Sequence, residues 1–151
     1  MLYLFGDNTV RKGFGGQAKE MRGEPNAIGI ATKATPTSVT NAYFSDDEFD
    51  KWADVIDADF MPAYIHTLKG GIVVVPEDGL GTGLSELPTR APQLALFVQA
   101  WIDALKAVDW EMEQIYLLLV ANEGEDSVNA KMILRLEANR ERIKEELEIA
   151  A

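Results

Sequence analysis

Apolar runs alternate along the chain with polar, glycine-rich breaks, and the spacing inside each run predicts its element. Leu2–Phe5 is short and wholly apolar, as a buried strand is. Gly6–Gly16 reads as a glycine-rich loop, and a short helix then runs to Arg22, where Gly23 and Pro25 supply stop signals. Ala27–Ala31 reads as a second strand and Thr32–Phe44 as a Thr- and Pro-rich loop. Ser45-Asp46-Asp47-Glu48 has the form of a capping box, with acids at the positive end of a helix. Phe49, Trp52, Ala53 and Ile56 share one face of that helix, which Pro62 is expected to break or restart. Tyr64, Ile65 and Leu68 continue an apolar side until Gly70-Gly71. Ile72–Val75 is apolar and β-branched, the pattern of a strand covered on both faces. A second glycine-rich loop, Pro76–Leu84, follows it. Thr89 is suited to cap the next helix, with Pro92 in its first turn. Leu94, Val98, Trp101, Ile102, Leu105 and Val108 form the buried stripe of that helix. Ile115–Val120 reads as another strand, and residues 126–149 as a charged amphipathic helix with Met132, Ile133, Leu136, Ile143 and Leu147 apolar.

Strand and helix alternate four times in this reading. That order predicts an α/β fold, a single helix–sheet–helix sandwich over residues 1–151 with an amphipathic helix at its C-terminal end. Ligands of such folds bind beyond the C-terminal ends of the strands.

Composition narrows the chemistry. The chain of 151 residues has no cysteine and one histidine, so thiolate nucleophiles, zinc–thiolate sites and multi-histidine metal centres are excluded. No cofactor is implied. The net charge of −11 argues against non-specific nucleic-acid binding, which relies on Lys and Arg. No apolar run approaches the roughly 20 residues of a membrane span, and the N-terminus lacks a basic signal-peptide region. A soluble, intracellular protein is expected, and its oligomeric state is left open. Charge is uneven, however: Arg11, Lys12, Lys19, Arg22 and Lys33 outnumber Asp7, Glu20 and Glu24, so residues 1–33 are net basic inside an acidic chain. An anionic ligand would therefore favour that segment, since charges more than about 8 Å away are screened.

The candidate chemistry lies in the two glycine-rich loops. The first holds Gly6, Asp7, Asn8, Arg11, Gly13, Phe14, Gly15, Gly16 and Gln17, and the second holds Asp78, Gly79, Leu80, Gly81, Thr82 and Gly83. Each follows a predicted strand and leads to a helix. Glycines permit positive φ and leave backbone N–H groups uncovered, and successive free N–H groups form an anion site. Gly13-x-Gly15-x-x-Ala18 matches a dinucleotide fingerprint only formally. It lies too far from its strand, and Lys33 stands where the ribose-binding acid belongs. No Gly-x-x-x-x-Gly-Lys-Ser/Thr sequence is present, which excludes a P-loop nucleotidase.

Phe5-Gly6-Asp7-Asn8-x-x-Arg11-x-Gly13-Phe14-Gly15-Gly16 resembles the first ligand loop of macro domains, and Asp78-Gly79-Leu80-Gly81-Thr82-Gly83 is similar to their later phosphate loop. Gly6–Lys33 with Asp78–Pro92 also resembles a family of small macro-like proteins found in phage genomes. The resemblance implies binding of ADP-ribose or an ADP-ribosylated macromolecule in a cleft between residues 6–17 and 78–84. It further implies a counter-defence role in the host cytoplasm, sequestering or removing ADP-ribose signals or marks. By this resemblance Asn8 faces the distal ribose, the first glycine cluster lies beside the distal ribose and diphosphate, and Gly79–Gly83 hold the diphosphate. Phe5 replaces the family's first Asn, and the Asp of one hydrolase branch is missing from the Gln17-Ala18-Lys19 stretch. Binding is therefore favoured over hydrolysis. The alternative, an ADP-ribosyl hydrolase acting on modified protein or nucleic acid, would use Asp7, Asn8 or Lys19 as catalytic groups. A further alternative is an acidic interaction protein that blocks a basic partner.

Other residues have ordinary explanations beside functional ones. Arg22 is a candidate phosphate ligand, while Asn26 and Lys33 flank the second strand. Phe14 and Tyr43 are candidates to stack on an adenine, whereas Trp52 and Trp101 read as core. His66 lies on an apolar helix side, as a packed histidine does. Helix capping accounts for Asp46, Asp47, Glu48 and Asp50 without a metal.

Overall fold

A computed structural model describes residues 1–106 and, beyond them, residues 120, 121, 123, 124, 127, 130, 131, 134, 135, 137 and 138. The chain divides into two compact units, Met1–Leu105 and Lys106–Ala151. The first is mixed α/β, with a small parallel sheet of order β2-β1-β3 and four α-helices.

Strand β1, Leu2–Asn8, is the central strand. It extends past the predicted end at Phe5 because Gly6, Asp7 and Asn8 pair with Ile30, Ala31 and Lys33 of β2, Ala27–Lys33. The register shifts between Asp7 and Asn8, leaving Thr32 as the extra residue on β2. Such a bulge re-aims the side chains beside it. Strand β3 is only Val73–Val74, pairing with Leu2 and Tyr3. The expected strand covered on both faces is not formed: Ile72 is 59% exposed, and Pro76, which has no N–H to donate, follows closely. Beyond Tyr3, that side of β1 is therefore left to the second glycine loop.

Helix α1, Ala18–Met21, is a single turn. Helix α2, Phe49–Leu68, runs through Pro62 without the expected break. Ala58, whose carbonyl loses its partner at Pro62, is exposed like the proline, so water can meet that oxygen. Buried Phe60, Ala63 and Tyr64 hold the helix on either side. Helix α3, Leu87–Arg90, contains Thr89, which therefore caps nothing. The cap of α4, Pro92–Lys106, comes from elsewhere. The Asp46 carboxylate accepts from the N–H groups of Gln93 at 3.0 Å and Leu94 at 3.1 Å. The predicted capping box does not form: Ser45 makes no side-chain cap, and Asp46–Glu48 is a 3-10 turn leading into α2.

The α4 stripe is as the pattern requires: Leu94, Val98, Trp101, Ile102 and Leu105 are buried, while Val108 lies outside the described residues. Trp101 stacks on Phe60 at 5.2 Å, and its indole N–H donates to Asp57 at 2.9 Å. Trp52 stacks on Phe44 at 4.3 Å. His66, half-buried in the last turn of α2, has Gly71 packed against its ring. Of the expected strand Ile115–Val120, only Val120 is described, and it is helical. Of residues 126–149, the described Ala130, Lys131, Leu134, Arg135, Glu137 and Ala138 are helical, and the five predicted apolar positions lie outside the described residues. No helix among the described residues is long and apolar enough to cross a membrane.

Candidate functional site

Both glycine-rich loops line one cavity of about 430 Å³ at the C-terminal ends of β1 and β2. This volume lies within the usual range for small-molecule sites. From the first loop come Gly6, Asp7, Asn8, Gly13, Gly15, Gly16 and Gln17, with Arg22 just beyond α1. From the second come Asp78, Gly81, Thr82 and Gly83.

Gln17 stitches the loops together. Its side-chain oxygen accepts from the Gly6 N–H at 2.7 Å, on the part of β1 that β3 does not reach. Its amide nitrogen donates to the Gly79 carbonyl at 2.9 Å. Gly81 brings the second loop against β2. Its φ of +79° suits glycine, and a Cβ there would lie 3.0 Å from Leu87 Cβ and 3.2 Å from Thr32 Cβ. Ser85 closes this side, its hydroxyl 2.7 Å from that of Thr32.

The acid on β1 is fully engaged. Asp7 is buried, ion-paired with Arg22, and accepts from the Asn8 N–H at 2.8 Å. Arg11 lies 3.5 Å from its other oxygen. Gly29 leaves room for the carboxylate, since a Cβ there would sit 2.3 Å from Asp7 Oδ2. Breaking so buried a pair typically costs about 3–5 kcal/mol, because a charge is left without its partner. Asp7 therefore fixes Arg22 rather than standing ready as a base. Asn8 is likewise occupied by its own loop. Its side-chain amide donates to the Lys12 carbonyl at 2.8 Å, and its oxygen accepts from the Val10 N–H at 3.1 Å.

Several predicted site residues lie elsewhere. Lys19 is exposed on α1 and does not line the cavity, because a one-turn helix buries only Ala18. Phe14 is 66% exposed and also outside the lining, while Tyr43 is held between Lys33 and Arg90. Arg11 turns away: it binds both oxygens of Asp59 at 2.6 and 2.8 Å, in a positive-φ conformation. Asp59 also accepts from the Ala31 N–H at 2.8 Å, so this pair covers the free edge of β2. Gly79 contributes its carbonyl to Gln17, and Leu80 is buried as the anchor of its loop. Neither lines the cavity.

Lys12, Lys33, Pro36, Leu84 and Ser85 complete much of the wall. Lys33 was visible in the sequence only as a strand-end cation. Its burial follows from the β2 bulge and from Tyr43, neither of which has a local signature. Asp59 had no local signal beyond being an acid on a helix.

Two sets of donors remain. Among the described residues, the N–H groups of Gly13, Gly15 and Gly16, and those of Gly81, Thr82 and Gly83, find no protein acceptor. With Lys12, Arg22 and Lys33 against Asp7 and Asp78, the lining is rich in donors and net positive within an acidic chain. Among the described residues no three acidic or histidine side chains gather as metal ligands.

The model of a family of unknown function, DUF7831, matches residues 1–101, which include every residue of the cavity wall. No curated protein and no solved structure matches the chain.

Proposed function

The chain belongs to the family of unknown function DUF7831, and we propose that the segment matched by this family binds an ADP-ribose-type nucleotide, its diphosphate held between the two glycine loops. The observation that carries this reading is the pair of unpartnered N–H sets on opposite loops around one cavity. Successive amides of this kind complement phosphate oxygens, and each charge-assisted hydrogen bond contributes about 1.5–3 kcal/mol. A few of them, with packing of the nucleoside, reach the roughly 8 kcal/mol of micromolar affinity. The macro-like, three-layer arrangement and a role in sequestering ADP-ribose signals belong to the same proposal.

Binding without turnover fits the side chains better than hydrolysis. Asp7 and Asn8 are committed to Arg22 and to their own loop, and Lys19 is outside the cavity. Calorimetric titration with ADP-ribose, NAD, AMP and adenosine tests the reading. ADP-ribose is expected to bind most tightly, adenosine not measurably. Equal binding of adenosine, or no binding of ADP-ribose, would overturn it.

A further inference from the structure

We infer that Lys33 is the cationic anchor of the cavity, the side chain whose charge is left for a phosphate of the ligand. This rests on the cavity being the nucleotide site proposed above and adds one charged side chain to the amides that hold the anion there.

The other cations near the cavity are spent or hydrated. Arg22 pairs with Asp7 and donates to the carbonyls of Gly13 and Lys12. Arg11 is held by Asp59. Lys12 is exposed, so water already solvates its ammonium. Lys33 differs on each count. It is 8% exposed and lines the cavity, and among the described residues no carboxylate lies within ion-pair distance of it. Its ammonium lies 4.5 Å from the centre of the Tyr43 ring, which has the Arg90 guanidinium 3.7 Å from the same centre. The ring, shared by two cations, offers no lone pair, and among the described residues the Lys33 ammonium donates to no protein acceptor.

Backbone geometry sets Lys33 there. The shift that makes Thr32 the extra residue puts Lys33 opposite Asn8, at the end of β1 where the first glycine loop begins. Lys33 thus sits on the wall that also carries Gly13 and Gly16. A phosphate held by those amides would gain a charged partner whose side chain is already largely packed, so that less of it remains to be ordered on binding than of an exposed lysine. The ligand class is therefore a phosphate ester or diphosphate, and a neutral nucleoside is disfavoured.

The test titrates pyrophosphate and ADP-ribose separately into wild type, Lys33→Arg and Lys33→Met. Lys33→Met is expected to weaken both ligands roughly ten- to a hundredfold, the equivalent of one charge-assisted hydrogen bond, while Lys33→Arg stays within a few fold. Lys33→Met binding both as wild type does would overturn the assignment and leave the nucleotide reading standing. Lys33-dependent binding of pyrophosphate without binding of ADP-ribose would do the reverse. Wild type binding neither ligand would overturn both. Should Lys33→Met not fold, ¹³C-lysine spectra of wild type serve instead, with Lys33 assigned through Lys33→Arg. The Lys33 side-chain resonance is expected to move with added pyrophosphate, and an unmoved resonance during saturable binding would overturn the assignment.

Discussion

Replacing Gln17 by Ala removes a side chain that donates to one glycine loop and accepts from the strand that carries the other. Two hydrogen bonds are lost, at 2.7 and 2.9 Å, both partly buried. At roughly 0.5–1.5 kcal/mol each, the loss is about 1–3 kcal/mol. For a chain of 151 residues, a loss of about 2 kcal/mol corresponds to a fall in Tm of roughly 4–8 °C. Urea unfolding followed by tryptophan fluorescence reads the first quantity and calorimetry the second. ADP-ribose affinity should fall as well, because the two sets of N–H groups lose their common spacer. Gln17→Glu separates the two bonds. A carboxylate still accepts from the Gly6 N–H but faces the Gly79 carbonyl with no proton, whereas the protonated acid restores the donor. The folded-state pKa of that glutamate is therefore raised above its unfolded value of about 4.3. Its contribution to stability is then fully present below the unfolded pKa and lost as pH rises through the folded one. Gln17→Glu should approach wild type near pH 4 and fall behind it at pH 7. Stability of Gln17→Ala within about 0.5 kcal/mol of wild type, the range of ordinary surface changes, together with unchanged ADP-ribose affinity, would rule out this bridging role for Gln17.

Two more substitutions separate the site from its scaffold. Gly81→Val puts a branched side chain at φ +79° and against Leu87 and Thr32, so a loss of about 1–3 kcal/mol or more and abolished ADP-ribose binding are expected, read by urea unfolding and calorimetry. Asp46→Ala uncaps α4 at Gln93 and Leu94, and is expected to cost about 1 kcal/mol in urea unfolding while leaving ADP-ribose affinity unchanged.

The parts legible in the sequence were those with local causes. The stripe from Leu94 to Leu105 follows helical spacing and is buried as that spacing requires. Glycine clusters after apolar runs marked the two loops, and the structure brings both to one cavity. Features set by distant partners were hidden. Asp46 looks like a cap for the helix that follows it, yet it caps a helix 47 residues further on, at Gln93. Pro62 reads as a breaker until the exposure of Ala58 is known. Asp7 and Arg11 are plausible ligand groups beside a glycine loop, and only the structure reveals Arg22 and Asp59 as their partners. Ile72–Val75 has strong strand character, yet it forms a ladder only at Val73 and Val74, before Pro76 ends the supply of donors. The burial of Lys33 required both a bulge and an aromatic residue ten positions away.

In the proposed function the free amides of two loops act as one anion site. The most direct test is a ¹⁵N–¹H spectrum of the protein titrated with ADP-ribose. The amides of Gly13, Gly15 and Gly16 and those of Gly81, Thr82 and Gly83 are expected to shift together, with one saturation curve. Shifts confined to one loop, or to residues outside the cavity, would contradict it.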